Sequence, residues 1–145
     1  MNREEEAISG YYRFPTIYRE RVVFVAEDDL WEVPLGGGVA RRLTSHLGTV
    51  SQPRFSEDGN WLAFTACEEG PDEVYLMPSQ GGKIERLTFL GAMTRVVGWR
   101  GDQIIFASTF QQPERHPPWL FSVCPRSGRL QRLPLGPASR LDEQQ

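Results

Sequence analysis

The stretch "EVYLMPSQGGKIERLTFLG", Glu73–Gly91, has a near copy upstream, "DLWEVPLGGGVARRLTSHLG", Asp29–Gly48. A third version follows downstream, "WLFSVCPRSGRLQRLPLG", Trp119–Gly136. Leu43, Leu87 and Leu133 hold equivalent places, 44 and 46 residues apart, and each follows an arginine (Arg42, Arg86, Arg132). Twelve residues before each leucine stands an aromatic, Trp31, Tyr75 or Phe121, and ten before stands Val33, Met77 or Val123. Between them lies a turn ending in Gly38, Gly82 or Gly128. A chain that keeps one internal spacing three times builds one unit three times.

Each unit also has an upstream half. "VVFVAE", "WLAFTA" and "QIIFAS" centre on Phe24, Phe64 and Phe106, and "FPTI", "PRFS" and "VVGW" precede them. Every unit thus reads as four short apolar segments divided by turn residues, none long or 3.6-periodic enough for a helix. In the third segments Trp31/Val33, Tyr75/Met77 and Phe121/Val123 line one face, while Leu30, Val74/Leu76 and Leu120 line the other. A strand apolar on both faces must be covered on both. The fourth segments are polar apart from one regular Leu, as a half-exposed outer strand should be. Four-stranded units of this period, sandwiched between copies of themselves, are the blades of a β-propeller. The expected fold is all-β: a partial propeller of three four-stranded antiparallel blades over residues 13–48, 49–92 and 93–137, with tails at 1–12 and 138–145.

Composition agrees with a globular chain. Of 145 residues 39% are hydrophobic and 24% charged, and Gly and Pro (14 and 11) sit between the apolar runs. The net charge of −3 and the lack of any Lys/Arg cluster beyond Arg41–Arg42 argue against a nucleic-acid partner or a membrane surface. The opening "MNREEEAISGYYRF" carries acids where a signal peptide needs positive charge. No run approaches a membrane span, so a cytoplasmic location is expected. Cys67 and Cys124 fit free thiols better than a disulfide in that setting.

No catalytic constellation, cofactor motif or metal site can be assembled, and none is expected. Ser45 and His46 are neighbours in an inter-blade turn, and sequence adjacency does not make the geometry of a nucleophile and its base. Glu27, Asp28 and Asp29 read as the acidic turn between two strands, where Asp hydrogen-bonds its own backbone. Two cysteines 57 apart and two histidines 70 apart form no ligand set. "LGGGV" (Leu35–Val39) leads into a polar strand and not a helix, so it offers no phosphate a helix N-terminus. "SEDGNW" predicts a tight hairpin at Asp58–Gly59, and is similar to an aspartate box lacking its residue between Asp and Gly. The loop from second to third segment grows from unit to unit. In the third it is "TFQQPERHPPW", with His116, Pro113, Pro117 and Pro118, expected as a solvated, Pro-stiffened tip that could reach a ligand or neighbour.

The first unit, with its "FPTI…VVFV…EDDLW.VP..GG.ARRLT" wording, resembles the opening of the tricorn peptidases. These are large, cytoplasmic, self-compartmentalising serine proteases. The later "P.FS.DG.WLAF" wording is shared with the propellers of TolB and of prolyl-oligopeptidase relatives. The resemblance spans Tyr11 to Pro137 and implies the amino-terminal six-bladed propeller, which in that family governs passage of peptides to and from an enclosed active site. The family's catalytic serine and histidine lie in later domains, and no position here matches them. Implied partners are peptides and the remaining domains of a tricorn-like protein, or a second copy of this chain. With three blades the first and third each have a face without a neighbour. The isolated chain is therefore expected to pair as 3 + 3 blades or to be poorly soluble. A stand-alone binding module made of paired half-propellers, and an inert truncated product, are the other readings the sequence allows.

Overall fold

The computed structural model describes residues 13–134; the expected tails, 1–12 and 138–145, lie outside them. Twelve strands form three antiparallel sheets. The first holds β1 (Arg13–Tyr18), β2 (Arg21–Ala26), β3 (Asp29–Pro34) and β4 (Arg41–Arg42). The second holds β5 (Thr49–Phe55), β6 (Trp61–Cys67), β7 (Glu73–Pro78) and β8 (Glu85–Arg86). The third holds β9 (Thr94–Arg100), β10 (Gln103–Ser108), β11 (Trp119–Val123) and β12 (Leu130–Arg132). Strand order within each sheet is sequential. β1 lies beside β5 and β5 beside β9, so the first strands converge and the sheets fan outward like propeller blades.

The repeat in sequence is a repeat in register. Phe24 pairs with Trp31, Phe64 with Tyr75 and Phe106 with Phe121. The rings stack in blade 2 (5.8 Å) and blade 3 (5.6 Å). Tyr75 and Met77 of β7 face Val23, Val25 and Leu30 of blade 1. Val74 and Leu76, one step along the same strand, face Val96, Phe106 and Phe121 of blade 3. This is the two-sided burial expected of a central blade. Two of the inner strands bulge just before a proline, with Phe14 and Gln52 at positive φ ahead of Pro15 and Pro53. A bulge tolerates the missing N–H of proline and re-aims the strand.

The outer faces depart from expectation, and unequally. In blade 2 the residues turned toward blade 1 are sealed: Leu62 and Met77 are 0% exposed and Tyr75 3%. Their counterparts on the free face of blade 1, Val22, Val33 and Trp31, are only half-buried, and Ile17 in the same row is 58% exposed. The free face of blade 3 is closed instead. Ile105, Ala107 and Leu120 are buried at 2–3%, with Val97 and Leu133 packed on them. Val97 of β9 and Leu133 beyond β12 pack on this face, next to a shallow groove of about 360 Å³ lined by Ile105 and Ser122.

The "SEDGNW" hairpin forms as predicted between β5 and β6. Asp58 accepts from the Ser56 hydroxyl (2.7 Å) and the Asn60 N–H (2.9 Å), and Gly59 takes φ +76°. A Cβ on Gly59 would lie 2.1 Å from the Tyr18 ring of blade 1. Gly59→Ala is expected to cost about 1–2 kcal/mol, from the positive φ and the displaced Tyr18 together. Chemical denaturation checks it; a loss below a few tenths of a kcal/mol would mean that the ring and the turn adapt freely.

Candidate functional site

The residues that invited a catalytic reading are dispersed. Ser45 and His46 are exposed in the turn between blades 1 and 2, with His46 at φ +60°. His116 is exposed in the long β10–β11 loop, whose turns are closed by Gln112 N–H to Thr109 O (2.9 Å) and His116 N–H to Pro113 O (3.1 Å). Beside that loop, Phe89 (73% exposed) and Met93 (59%) stand in the β8–β9 connection, and Arg86 lies over the Phe89 ring. Among the described residues no cluster of His, Cys, Asp and Glu could hold a metal. Cys67 and Cys124 are free, half-buried thiols at strand ends. The backbone and hydroxyl of Ser127 and the backbone of Arg126 hydrogen-bond the Cys124 sulfur and hold its pKa below that of an ordinary thiol. In a Cys67→Ser background, the rate of alkylation by iodoacetamide should therefore rise with pH through a midpoint lower than that of a free cysteine. An unshifted midpoint would dismiss the hydrogen bonds as a cause.

One reading needs correction. Glu27 and Asp28, both at positive φ, make the two-residue β2–β3 turn, but Asp29 does not belong to it. Asp29 opens β3, is 5% exposed, and accepts from Thr44 Oγ1 (2.7 Å) and Arg42 Nε (3.0 Å). Thr44 Oγ1 in turn accepts from the Leu30 N–H at 2.9 Å. Blade 2 repeats the clip. Glu73, 1% exposed, accepts from Thr88 Oγ1 (2.7 Å) and Arg86 Nη2 (3.3 Å), while Val74 N–H donates to Thr88 Oγ1 (2.9 Å). The "RLT" wording is thus a device that locks the fourth strand to the start of the third. In blade 3, Trp119 stands at the acid's place and Pro134 at the threonine's. There Arg132 stacks over the Trp119 ring at 4.3 Å, and the Trp119 Nε1–H donates to Leu133 O at 2.6 Å. Every oxygen of these buried acids accepts a hydrogen bond that holds strands or the following connection.

A groove of about 580 Å³ lies between blades 2 and 3, on the side of the β5–β6 and β9–β10 turns. A shallower space of about 610 Å³ lies between blades 1 and 2, beside Tyr18, Arg21 and Gln80. Trp61, Trp99, Leu76 and Pro78 form the walls of the groove. Glu57, Asp58, Glu85 and Asp102 stand at its rim with Lys83 and Arg126. Trp99 is fixed by its Nε1–H bond to Arg54 O (3.0 Å), and Glu57 Oε1 accepts the Gly101 N–H (3.0 Å), so both blades hold the groove open. The hydroxyl of Ser56, then the Asn60 N–H, keep the Asp58 carboxyl below its usual range. Sequence reasoning took Trp61 and Trp99 only as strand residues. The available signal was positional: Trp61 stands where the first unit has Arg21.

Residues 9–145 match the tricorn protease N-terminal β-propeller domain. The chain belongs to that family. It is 37% identical over 139 residues to tricorn protease homolog 1 of Streptomyces coelicolor, covering 94% of this chain and 13% of that protein. A Sulfurisphaera tokodaii protein described as a tricorn-like protease N-terminal subunit is 31% identical over 142 residues, and there the match covers 92% of this chain and 71% of the relative. The crystal structure of the tricorn protease superimposes with a TM-score of 0.80 at 28% identity, over 90% of this chain and 14% of that one. TolB from Acinetobacter baumannii shares the fold at TM-score 0.66 and 23% identity, covering 82% of this chain and 31% of TolB. The tricorn N-terminal propeller is thus the setting of the groove and the clips, and this chain spans a small fraction of the long tricorn relatives. Among the described residues no helix is long and apolar enough to cross a membrane.

Proposed function

We propose that this chain is part of the amino-terminal propeller of a cytoplasmic, tricorn-type serine peptidase. In this reading it controls passage of peptides or scaffolds assembly, and supplies no catalytic residue. The observation that supports the reading is the match over 71% of a relative described as a tricorn-like protease N-terminal subunit. The partners are then the remaining domains of a tricorn-like protein. An antibody against Gly10–Gly48, used for native immunoprecipitation from the source cells, tests it. Peptidase activity on short fluorogenic peptides, sensitive to a serine-directed inhibitor, should co-precipitate, while the purified chain alone should show none. A precipitate that contains the chain and lacks peptidase activity overturns the proposal. On a denaturing gel, a band far above 16.5 kDa marks a covalent part of the protease, and one at 16.5 kDa a separate subunit.

A second reading, pairing of two copies, draws on the open face of blade 1, where Ile17 is 58% exposed. A 3 + 3 ring would set this face against blade 3 of the other copy, whose Ile105 and Leu120 are already buried. The gain is therefore smaller than two fully open faces would give. Light scattering at micromolar concentration should show a mass near twice that of the chain; a stable monomer would remove this reading.

A further inference from the structure

The same strand positions meet at both blade interfaces, but with different chemistry. Between blades 1 and 2, Arg21 opens β2 and crosses to blade 2. Its guanidinium donates to Ser79 Oγ (3.0 Å) and to the Ser79 carbonyl, pairs with Glu32, and lies 5.3 Å from the centre of the Phe55 ring. That one side chain bridges the two blades, and the space beside it is bounded by Tyr18, Arg19, Asp58, Asn60 and Gln80. One blade further on, register puts Trp61 at the place of Arg21 and Leu76 at the place of Glu32. Pro125 follows β11 where Ser79 follows β7. No ionic bridge can form there, and the space remains as the 580 Å³ groove.

We propose that this groove binds a cationic side chain, arginine or lysine, of an extended peptide. Its size lies within the range of ligand sites, roughly 300–1,000 Å³. Trp61 is 42% exposed at its wall. Trp31, Trp99 and Trp119 each donate their indole N–H to a backbone carbonyl, whereas the Trp61 indole N–H makes no hydrogen bond among the described residues. An exposed indole face attracts a cation, most of all a weakly hydrated guanidinium whose methylene stem can lie along Leu76 and Pro78. The rim complements that charge. Four carboxylates stand there against two cations, and one of the cations, Lys83, is 84% exposed and 3.9 Å from Glu85. Asp58 is held in its charged form by the Ser56 hydroxyl, and Glu57 is aimed by its bond to the Gly101 N–H. An acidic peptide would meet repulsion at the same rim. The source of the peptide rests on the peptidase reading above, but binding is a property of this chain and is measured without any peptidase.

The test uses the 145-residue chain labelled with ¹⁵N at tryptophan and two blocked probes, acetyl-Gly-Arg-Gly-amide and acetyl-Gly-Glu-Gly-amide. The arginine probe should shift the indole signals of Trp61 and Trp99 saturably and leave those of Trp31 and Trp119 in place. Trp61→Ala should weaken binding at least tenfold, read from Trp99. Glu57→Gln keeps an oxygen for the Gly101 N–H while removing the charge, and should weaken binding at least threefold with the Trp31 and Trp119 signals unchanged. No saturable shift, an equal response to the glutamate probe, or undiminished binding by Glu57→Gln would each overturn the proposal.

Discussion

Glu73→Ala is expected to destabilise the chain by about 3–5 kcal/mol, a large share of the ~5–15 kcal/mol that holds a domain together. Glu73 is 1% exposed and its oxygens receive four donors: Thr88 Oγ1 (2.7 Å), Gly91 N (2.9 Å), Leu90 N (3.0 Å) and Arg86 Nη2 (3.3 Å). Alanine removes the acceptor. The buried Thr88 hydroxyl keeps the bond from the Val74 N–H but has nowhere to donate, at about 1–3 kcal/mol, while the less buried Leu90 and Gly91 N–H groups turn partly to water. The Arg86 side chain is 31% exposed, so water recovers part of its loss. Asp29→Ala should cost less, about 2 kcal/mol, because Arg42 is 51% exposed and the first clip includes no backbone N–H from the following connection. Urea unfolding of the two variants with unchanged m-values measures both. A loss below 1 kcal/mol for Glu73→Ala would show that the clip does not hold β8 in place.

The clip also shows where sequence reasoning ran short. The spacing of Leu43, Leu87 and Leu133 was enough to place the outer strands, and the paired aromatics were enough to set the two faces of each central strand. Both are nearest-neighbour properties of a period-two pattern. A carboxylate at a strand start reads locally as a turn residue, and its burial depends on donors 13 and 15 residues further on. The information was present as a repeat: Asp29 with Arg42 and Thr44, then Glu73 with Arg86 and Thr88. The third unit changes acid and threonine together, to Trp119 and Pro134, which marks them as one device. The groove was harder to see. It arises from a difference between two interfaces, Arg21 bridging one and Trp61 failing to bridge the next, and such a difference needs the register of both. The closed face of blade 3 depends likewise on how Val97 and Leu133 pack.

Phe64→Ala should cost about 3–5 kcal/mol, whereas Ile17→Ala in the isolated chain should cost about 0.5 kcal/mol. Both side chains point from their own blade toward the place of the preceding one. Phe64 is 0% exposed, stacked on Tyr75 and packed in one cluster with Val23, Val25 and Leu30 of blade 1. Its removal opens a cavity between two sheets that cannot collapse without moving their hydrogen-bonded strands. Ile17 has the same orientation in blade 1, with no blade packed before it among the described residues, and remains 58% exposed. Its truncation gives up little that water was not already touching. The contrast turns into a test of what covers blade 1. In an assembly where another blade packs on this face, Ile17→Ala should become costly, about 2–4 kcal/mol, while Phe64→Ala stays as it was. Measuring both variants in the isolated chain and in the co-precipitated complex separates the cases. An Ile17→Ala cost that does not rise in the complex would mean that the face of blade 1 stays in water there, and that the propeller is joined through other surfaces.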